Sequence, residues 1–511
     1  MWRIITLLCL LIIISVVSLS PCLNNDFVNW DDDKYITGNN DIRNLNWNTF
    51  RKIFSQFYSG AYVPLTILSF AFDYQIGGLN PSVYHRTNLI LHLLNGVLVF
   101  WVIYFLCKRI SISFLTALLF AIHPLHVEPV AWVTGRKDLL YGFFLIGSLV
   151  SYLYYKRKSK LLLYLLSMIL CIMALLSKPT AVSFPLVILA FDYFLFNGST
   201  KKSIIYIIPF LFFSIIFFVV AVIAQKSASA VGASGFTFFQ HLNLFMSNFL
   251  FYLFKMLIPT KLACMYPIQN YWFAPFILLL LIIVFIISYR YTKVLVFSLV
   301  LYLILMLPVL QLIPAGQILA DRYAYLSITG FLFIIANFIF YLYQQLNKIM
   351  KNLFQVIIIF VFIILGYLSY NQCRIWKNSY TLWTNVIDNF PSVVVAYNQR
   401  GIFLGENKDY QNAINDFTKA LSINPKYVSA YTNRGNIYSN LGQYTLALED
   451  YNQALSLNST DINVLHNRAV LYFNMKEYEL SLKDLIRIRN LGGDVPDNVI
   501  NYIRSFINGD K

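Results

Sequence analysis

The chain has 511 residues, of which 58% are hydrophobic, 17% aromatic and only 12% charged. Soluble domains carry about 25% charged residues, so this balance excludes a chain made of water-solvated domains alone. The net charge of +16 does not point to nucleic acid, because the basic residues gather in short turns between apolar runs, as membrane orientation demands.

In chain order, apolar runs predict eleven helical spans, near 4–21, 88–107, 111–124, 138–155, 161–177, 180–197, 203–224, 272–289, 294–313, 325–345 and 352–370. Several are long enough for a hydrocarbon core of about 30 Å. Residues 1–21 are read as a retained first span, not as a cleaved leader. The basic turns Lys108-Arg109, 156–160, Lys201-Lys202, 290–293 and 348–351 fall at alternate boundaries, which puts them and the N-terminus in the cytoplasm. The first outer loop, 22–87, then faces the other side. So do 122–137, 177–179, 314–323 and everything after Asn371. The stretch 236–259 contains His241, Asn243, Asn248 and Lys255; it is read as a helix lying in the interface, since a charge at the bilayer centre costs about 2.5–3.5 kcal/mol. The six cysteines are scattered without metal-ligand spacing.

The outer segments hold the chemistry-bearing residues. Asp31, Asp32 and Asp33 follow Trp30 just after the first span; like charges so close raise one another's pKa, and one carboxylate is a candidate general base for a hydroxyl acceptor or a candidate metal ligand. A solvated acidic loop is the plain alternative. Next come His123-Pro124, His126, Glu128 and Trp132, then Gly135-Arg136-Lys137-Asp138. The His123/His126 pair reads as metal ligands or as a structural proline turn, and no metal is predicted. Glu128 at a membrane edge is harder to read as structural. Lys178 and Arg322 stand at outer span ends, against the charge bias; they either snorkel to headgroups or bind a lipid phosphate. His85, Asn88 and His92 add polar groups to the second span.

The tail aligns on itself at an offset of 34: Arg400, Arg434 and Arg468; Gly401, Gly435 and Ala469; Tyr410, Tyr444 and Tyr478; Ala413, Ala447 and Ser481. This resembles the tetratricopeptide family, with repeats near 394–427, 428–461 and 462–495 followed by a capping helix. The predicted architecture is all-α: a polytopic membrane bundle over 1–372 and an α-solenoid over 373–511. Asn398, Arg434 and Asn436 are candidates for a groove holding a polypeptide; a rigid spacer is the alternative.

Trp30-Asp31-Asp32, Tyr62-Val63-Pro64-Leu65, Tyr84-His85, the run from His123 to Asp138, Leu176-Ser177-Lys178 and Asp321-Arg322-Tyr323 together resemble the transmembrane and tetratricopeptide-repeat O-mannosyltransferases. That family is similar to the GT-C glycosyltransferases, which take sugar from a polyprenyl-phosphate donor on the non-cytoplasmic face. The resemblance implies Asp31 or Asp32 as catalytic base. It implies Arg322, Lys178 and Arg136 at the donor phosphate, with Glu128, His123, His126 and His85 shaping the site. The lipid-linked sugar phosphate is the implied donor and a polypeptide hydroxyl the acceptor, with no nucleic-acid partner. The compartment is the periplasm for a bacterial chain and the endoplasmic reticulum lumen for a eukaryotic one. Two other readings compete: a membrane-anchored repeat scaffold without chemistry and, more weakly, a transporter, whose charges would line a path through the bilayer.

Overall fold

The computed structural model describes residues 2–196, 200–227, 237–269, 271–310 and 318–508. Regular structure among them is helical; the only pairing of extended chain is one bridge between Tyr58 and Ala61. The chain divides into two units, Met1–Leu382 and Trp383–Lys511.

In the first unit, six helices among the described residues are long and apolar enough to cross a membrane, or seven if the bent pair Ile110–Ile122 and Pro124–Ala131, which meet at 56°, form one span. Leu161–Ser177, Ala274–Arg290 and Lys293–Val309 are shorter apolar helices. Their boundaries follow local chemistry. Asn80 caps Pro81–Cys107 by accepting from Ser82 N, with proline at the first helical position, where its missing N–H costs nothing. Lys108 and Ser159 end their helices in the left-handed conformation, which closes the basic turns. The stretch near 236–259 forms the helix Phe238–Leu257, started by a capping box of Thr237 and Gln240. Its first residue, 236, lies outside the described residues, as do 197 and 311–313 at the ends of two expected spans, and 314–317 of an outer segment.

Within residues 22–87, Tyr35, Ile36, Ile42, Ile53, Ile67 and Phe70 form a small apolar core that Val133 of the later turn joins. It is tied to the far end of the unit: Asn25 Nδ2 donates to Cys373 O at 3.1 Å, Asp26 N to Lys377 O at 2.8 Å and Asn29 N to Ser379 Oγ at 2.9 Å. The loop is thereby a fixed platform.

The second unit is a row of helix pairs: Val394–Glu406 with Tyr410–Ile423, Val428–Asn440 with Tyr444–Leu457, Ile462–Asn474 with Tyr478–Asn490, then Asp497–Ile507. Gly401 and Gly435 let the second helix of each pair approach: an added Cβ would come within 2.7 Å of the Phe417 ring and 2.8 Å of the Tyr451 ring. One arginine per repeat makes a two-pronged clamp on an aspartate of the paired helix. Arg400 grips Asp416, Arg434 grips Asp450 and Arg468 grips Asp484, with all six bonds at 2.7–2.9 Å. The elbows between paired helices also repeat, with Lys408, Gly442 and Lys476 at φ of 64°, 72° and 66°.

Candidate active site

The site is built around one tight turn. Pro124 ends the helix Ile110–Ile122, the short helix Val127–Ala131 follows, and Val133–Gly135 leads into Arg136–Lys158. Asn88, fully buried in the second span, pins this turn: its Nδ2 donates to Trp132 O at 2.9 Å and reaches Val133 O at 3.3 Å, while its Oδ1 accepts from Arg136 Nε. A Cβ at Gly135 would lie 2.7 Å from Pro129 O and 2.8 Å from Pro129 Cα, so only glycine closes the turn.

Arg136 is fully buried. Its Nη2 meets Asp73 Oδ2 at 2.6 Å and Tyr84 O at 2.9 Å, and its Nη1 meets Ser69 Oγ at 3.2 Å. Every guanidinium nitrogen of Arg136, the residue expected at a donor phosphate, thus has a protein partner, and these partners tie Pro64–Gly77 and Pro81–Cys107 to the turn. Its neighbour Lys137 points elsewhere, since consecutive helical residues face different ways. Lys137 Nζ sits 4.3 Å from the Tyr35 ring centroid and 5.5 Å from that of Trp132. Trp132 is also approached by the Arg322 guanidinium, at 5.0 Å. Reading the sequence missed Lys137 as a site residue, because it hides between two other charges.

Asp31 and Asp32 part company. Asp32 is 1% exposed; its Oδ2 accepts from Val28 N at 3.0 Å, and its Oδ1 from Thr134 N at 3.0 Å and Thr134 Oγ1 at 2.5 Å. Burial pushes its carboxyl up to about 6, against the pull of those hydrogen bonds toward the charged form. Asp32 therefore stitches the loop to the turn. Asp31 stays accessible, its side chain 29% exposed, with Lys34 Nζ at 3.7 Å; it is also the carboxylate that Lys137 feels most strongly.

Glu128, 2% exposed, holds Arg322 twice: Oε1 accepts from Nη1 at 2.5 Å and Oε2 from the Arg322 backbone N at 3.0 Å. Burial opposes the charge on Arg322, but the Glu128 carboxylate more than offsets this and raises its pKa. Lys178 pairs with the buried Asp138. The Tyr323 ring lies between the two cations, 5.2 Å from Arg322 Cζ and 5.5 Å from Lys178 Nζ. A narrow cleft runs between Asp138, Lys178, Arg322 and Tyr323. The structure thus brings together Asp31, Glu128, Lys178 and Arg322 from four distant stretches, with Lys137, Asp138, Trp132 and Tyr323 completing the group. Three cations surrounding two aromatic rings make a setting suited to a phosphate, with an accessible carboxylate at its edge.

Two of the candidate histidines, His123 and His126, lie against backbone carbonyls. His123 Nε2 lies 2.9 Å from Met256 O, and its Nδ1 accepts from Leu125 N at 3.2 Å. His126 Nδ1 lies 2.6 Å from Phe120 O, with its ring against Phe120 and Tyr325. His85 is fully buried beside the Asn25 and Asp26 backbone. Among the described residues, no three His, Cys, Asp or Glu side chains gather as a metal site.

In the repeats, the groove candidates link helices to one another. Arg434 clamps Asp450 and also donates to Thr418 Oγ1 of the preceding repeat at 2.9 Å. Asn398 Oδ1 accepts from Asn433 at 3.0 Å; Asn436 Oδ1 accepts from Asn467 at 2.9 Å and from Tyr451 OH at 2.7 Å.

Comparison with known proteins bears on both units. Residues 428–461 match the family model described as tetratricopeptide repeat, and 406–442 match a second, described as TPR repeat. A protein O-mannosyl-transferase of Caenorhabditis elegans is 26% identical over 80% of this chain and 62% of its own length. Protein O-mannosyl-transferase TMTC1 of Homo sapiens is 32% identical over 35% of this chain and 23% of its own. The chain thus spans less than two thirds of the length of either relative. Among solved structures, ArnT from Cupriavidus metallidurans bound to undecaprenyl phosphate aligns over 91% of this chain and 80% of that one, at 12% identity and a TM-score of 0.40. The resemblance carried by the sequence motifs is therefore borne out: the relatives of this chain are named protein O-mannosyl-transferases, and its tail consists of tetratricopeptide repeats.

Proposed function

We propose that this chain is a membrane glycosyltransferase that moves a sugar, mannose first among the options, from a polyprenyl-phosphate donor to a serine or threonine hydroxyl of a polypeptide. The observation that carries the reading is the gathering of Lys137, Lys178 and Arg322 around Trp132 and Tyr323, beside the accessible Asp31. The names of the relatives support it. Eleven crossings, with the basic turns in the cytoplasm, would put this group and the repeats on the non-cytoplasmic face, in the periplasm or the endoplasmic reticulum lumen.

In the proposed reaction, the Asp31 carboxylate takes the proton of the acceptor hydroxyl while that oxygen attacks the anomeric carbon from the side opposite the phosphate. The bond from the anomeric carbon to the phosphate oxygen breaks, configuration inverts, and the polyprenyl phosphate leaves with the bonding pair. Arg322, Lys178 and Lys137 stabilise the negative charge that builds on it. Glu128 and Asp138 act through these cations as positioning residues, and Asp32 and Arg136 hold the platform. The repeats would present the acceptor as an extended chain.

The test is transfer of labelled mannose from polyprenyl-phosphate mannose to a Ser/Thr-rich peptide by purified full-length protein. The parent should transfer, and Asp31→Asn and Arg322→Ala should not. Undiminished transfer by both variants would overturn the site assignment. No transfer by the parent from any polyprenyl-phosphate sugar would favour the second reading, a scaffold in which only the repeats matter.

A further inference from the structure

A large groove of the membrane unit lies away from the candidate site, walled by Trp2–Leu19, Ile110–Ile122, Thr329–Gln345 and Lys348–Ile375. Its volume is about 1070 Å³ and its lining is almost wholly apolar. Along Lys348–Ile375 it runs from Phe354 to Tyr370, about 24 Å at 1.5 Å per residue, most of the thickness of a hydrocarbon core. Only 6% of that helix's most apolar window is buried.

One end of the groove is basic. Arg3 lines it directly, Arg109 Cζ lies 5.1 Å from the ring of Phe340, and Lys351 Nζ lies 5.4 Å from that of Tyr343, both rings being groove walls. None of the three forms an ion pair among the described residues. The reason lies in the sequence: no Asp or Glu occurs in 1–25, 74–127 or 322–387, which contain all four walls. The groove therefore joins an apolar trench of chain length to three cations that the protein itself does not neutralise.

We propose that this groove is a binding site for an anionic phospholipid, with its hydrocarbon chain in the trench and its phosphate at Arg3, Arg109 and Lys351. Basic pockets between spans on the cytoplasmic side recognise such headgroups, and a zwitterionic lipid would leave the positive charge uncompensated. The inference rests on the membrane placement of this unit and not on any reading of the candidate active site.

The test uses full-length protein in phosphatidylcholine nanodiscs, doped with chain-spin-labelled phosphatidylglycerol or phosphatidylcholine. The spectral fraction of immobilised lipid is the readout. Phosphatidylglycerol should be immobilised preferentially, and the preference should fall about fivefold in relative association constant for each cation replaced in Arg3→Gln, Arg109→Gln and Lys351→Gln. High salt should lower the preference in the unaltered protein, so the result does not hang on one variant folding. Ile359→Trp, at a groove position 58% exposed, should reduce immobilisation of the phosphatidylglycerol chain. Ile216→Trp, on a different apolar helix and 41% exposed, should not. Equal immobilisation of the two lipids, a preference that survives both salt and loss of all three cations, or equal effects of the two tryptophans would overturn the proposal.

Discussion

Both units use largely buried pairs of a cation with a carboxylate, but they deploy them in opposite ways. In the repeats one pair is copied three times, always sixteen residues apart and always between paired helices. In the membrane unit no two pairs are alike: Arg136 meets Asp73 across 63 residues, Arg322 meets Glu128 across 194 and Lys178 meets Asp138 across 40. A repeated contact distributes a modest constraint evenly along the solenoid. A singular contact makes one place depend on two remote stretches of chain, which is what assembling a reactive site demands.

The contrast is sharpest at Asp31, the carboxylate of the proposed site that stays partly accessible. Asp31→Asn should lower mannose transfer about 10²–10⁴-fold with little loss of folded protein, measured by turnover alongside thermal unfolding. Arg136→Ala should do the reverse and strike the fold. Stranding Asp73 without its buried partner should cost about 3–5 kcal/mol, read as loss of folded, detergent-extractable protein; a variant that stays folded but stops transferring would return Arg136 to the substrate.

Asp32 gives a pH signature. Its carboxyl is raised to about 6 in the folded protein against about 3.9 in an unfolded chain, so between these values the folded state holds the extra proton. Stability of the outer loop should therefore fall as pH rises from about 4 to about 6, by roughly 3 kcal/mol, and level off above. Protease protection of residues 22–63 across that window would measure it, and Asp32→Asn should remove the dependence. The smallest effect belongs to the repeats: Arg434→Ala should cost about 1.5–3 kcal/mol in the melting of the tail and leave body-catalysed transfer to a short peptide unchanged. A loss as large as that of Arg136→Ala would erase the distinction between copied and singular pairs.

The same distinction explains what could be read from the amino-acid order. The repeat helices, their glycines and their arginines were legible because each contact recurs at an offset of 34, so the sequence compares itself with itself. In the membrane unit the run from His123 to Asp138, with Glu128, Lys178 and Arg322, stood out as charge misplaced beside a bilayer, but not which member faces what. Arg136 and Lys137 differ by one step on a helix, and only the packing of Pro64–Gly77 with its Asp73 decides which is buried. Helix phase was the available signal, since two successive cations cannot share one anion. Asp31 and Asp32 are likewise inseparable in sequence; the turn at Asp33–Thr37 and the distant Thr134 sort them. Asn398, Arg434 and Asn436 looked like groove residues because they are polar, and the sequence alone did not show that each also ties one helix to another.

The elbow shared by Lys408, Gly442 and Lys476 makes the tail a modular object. Its backbone shape persists whether the position holds glycine or a lysine that bears the steric cost of a left-handed residue, so the bend belongs to the repeat and not to one side chain. A duplicated copy of 428–461 would arrive with its glycine elbow and its Arg434–Asp450 clamp already complete. Lengthening this tail therefore requires copying alone, with no new contact to invent.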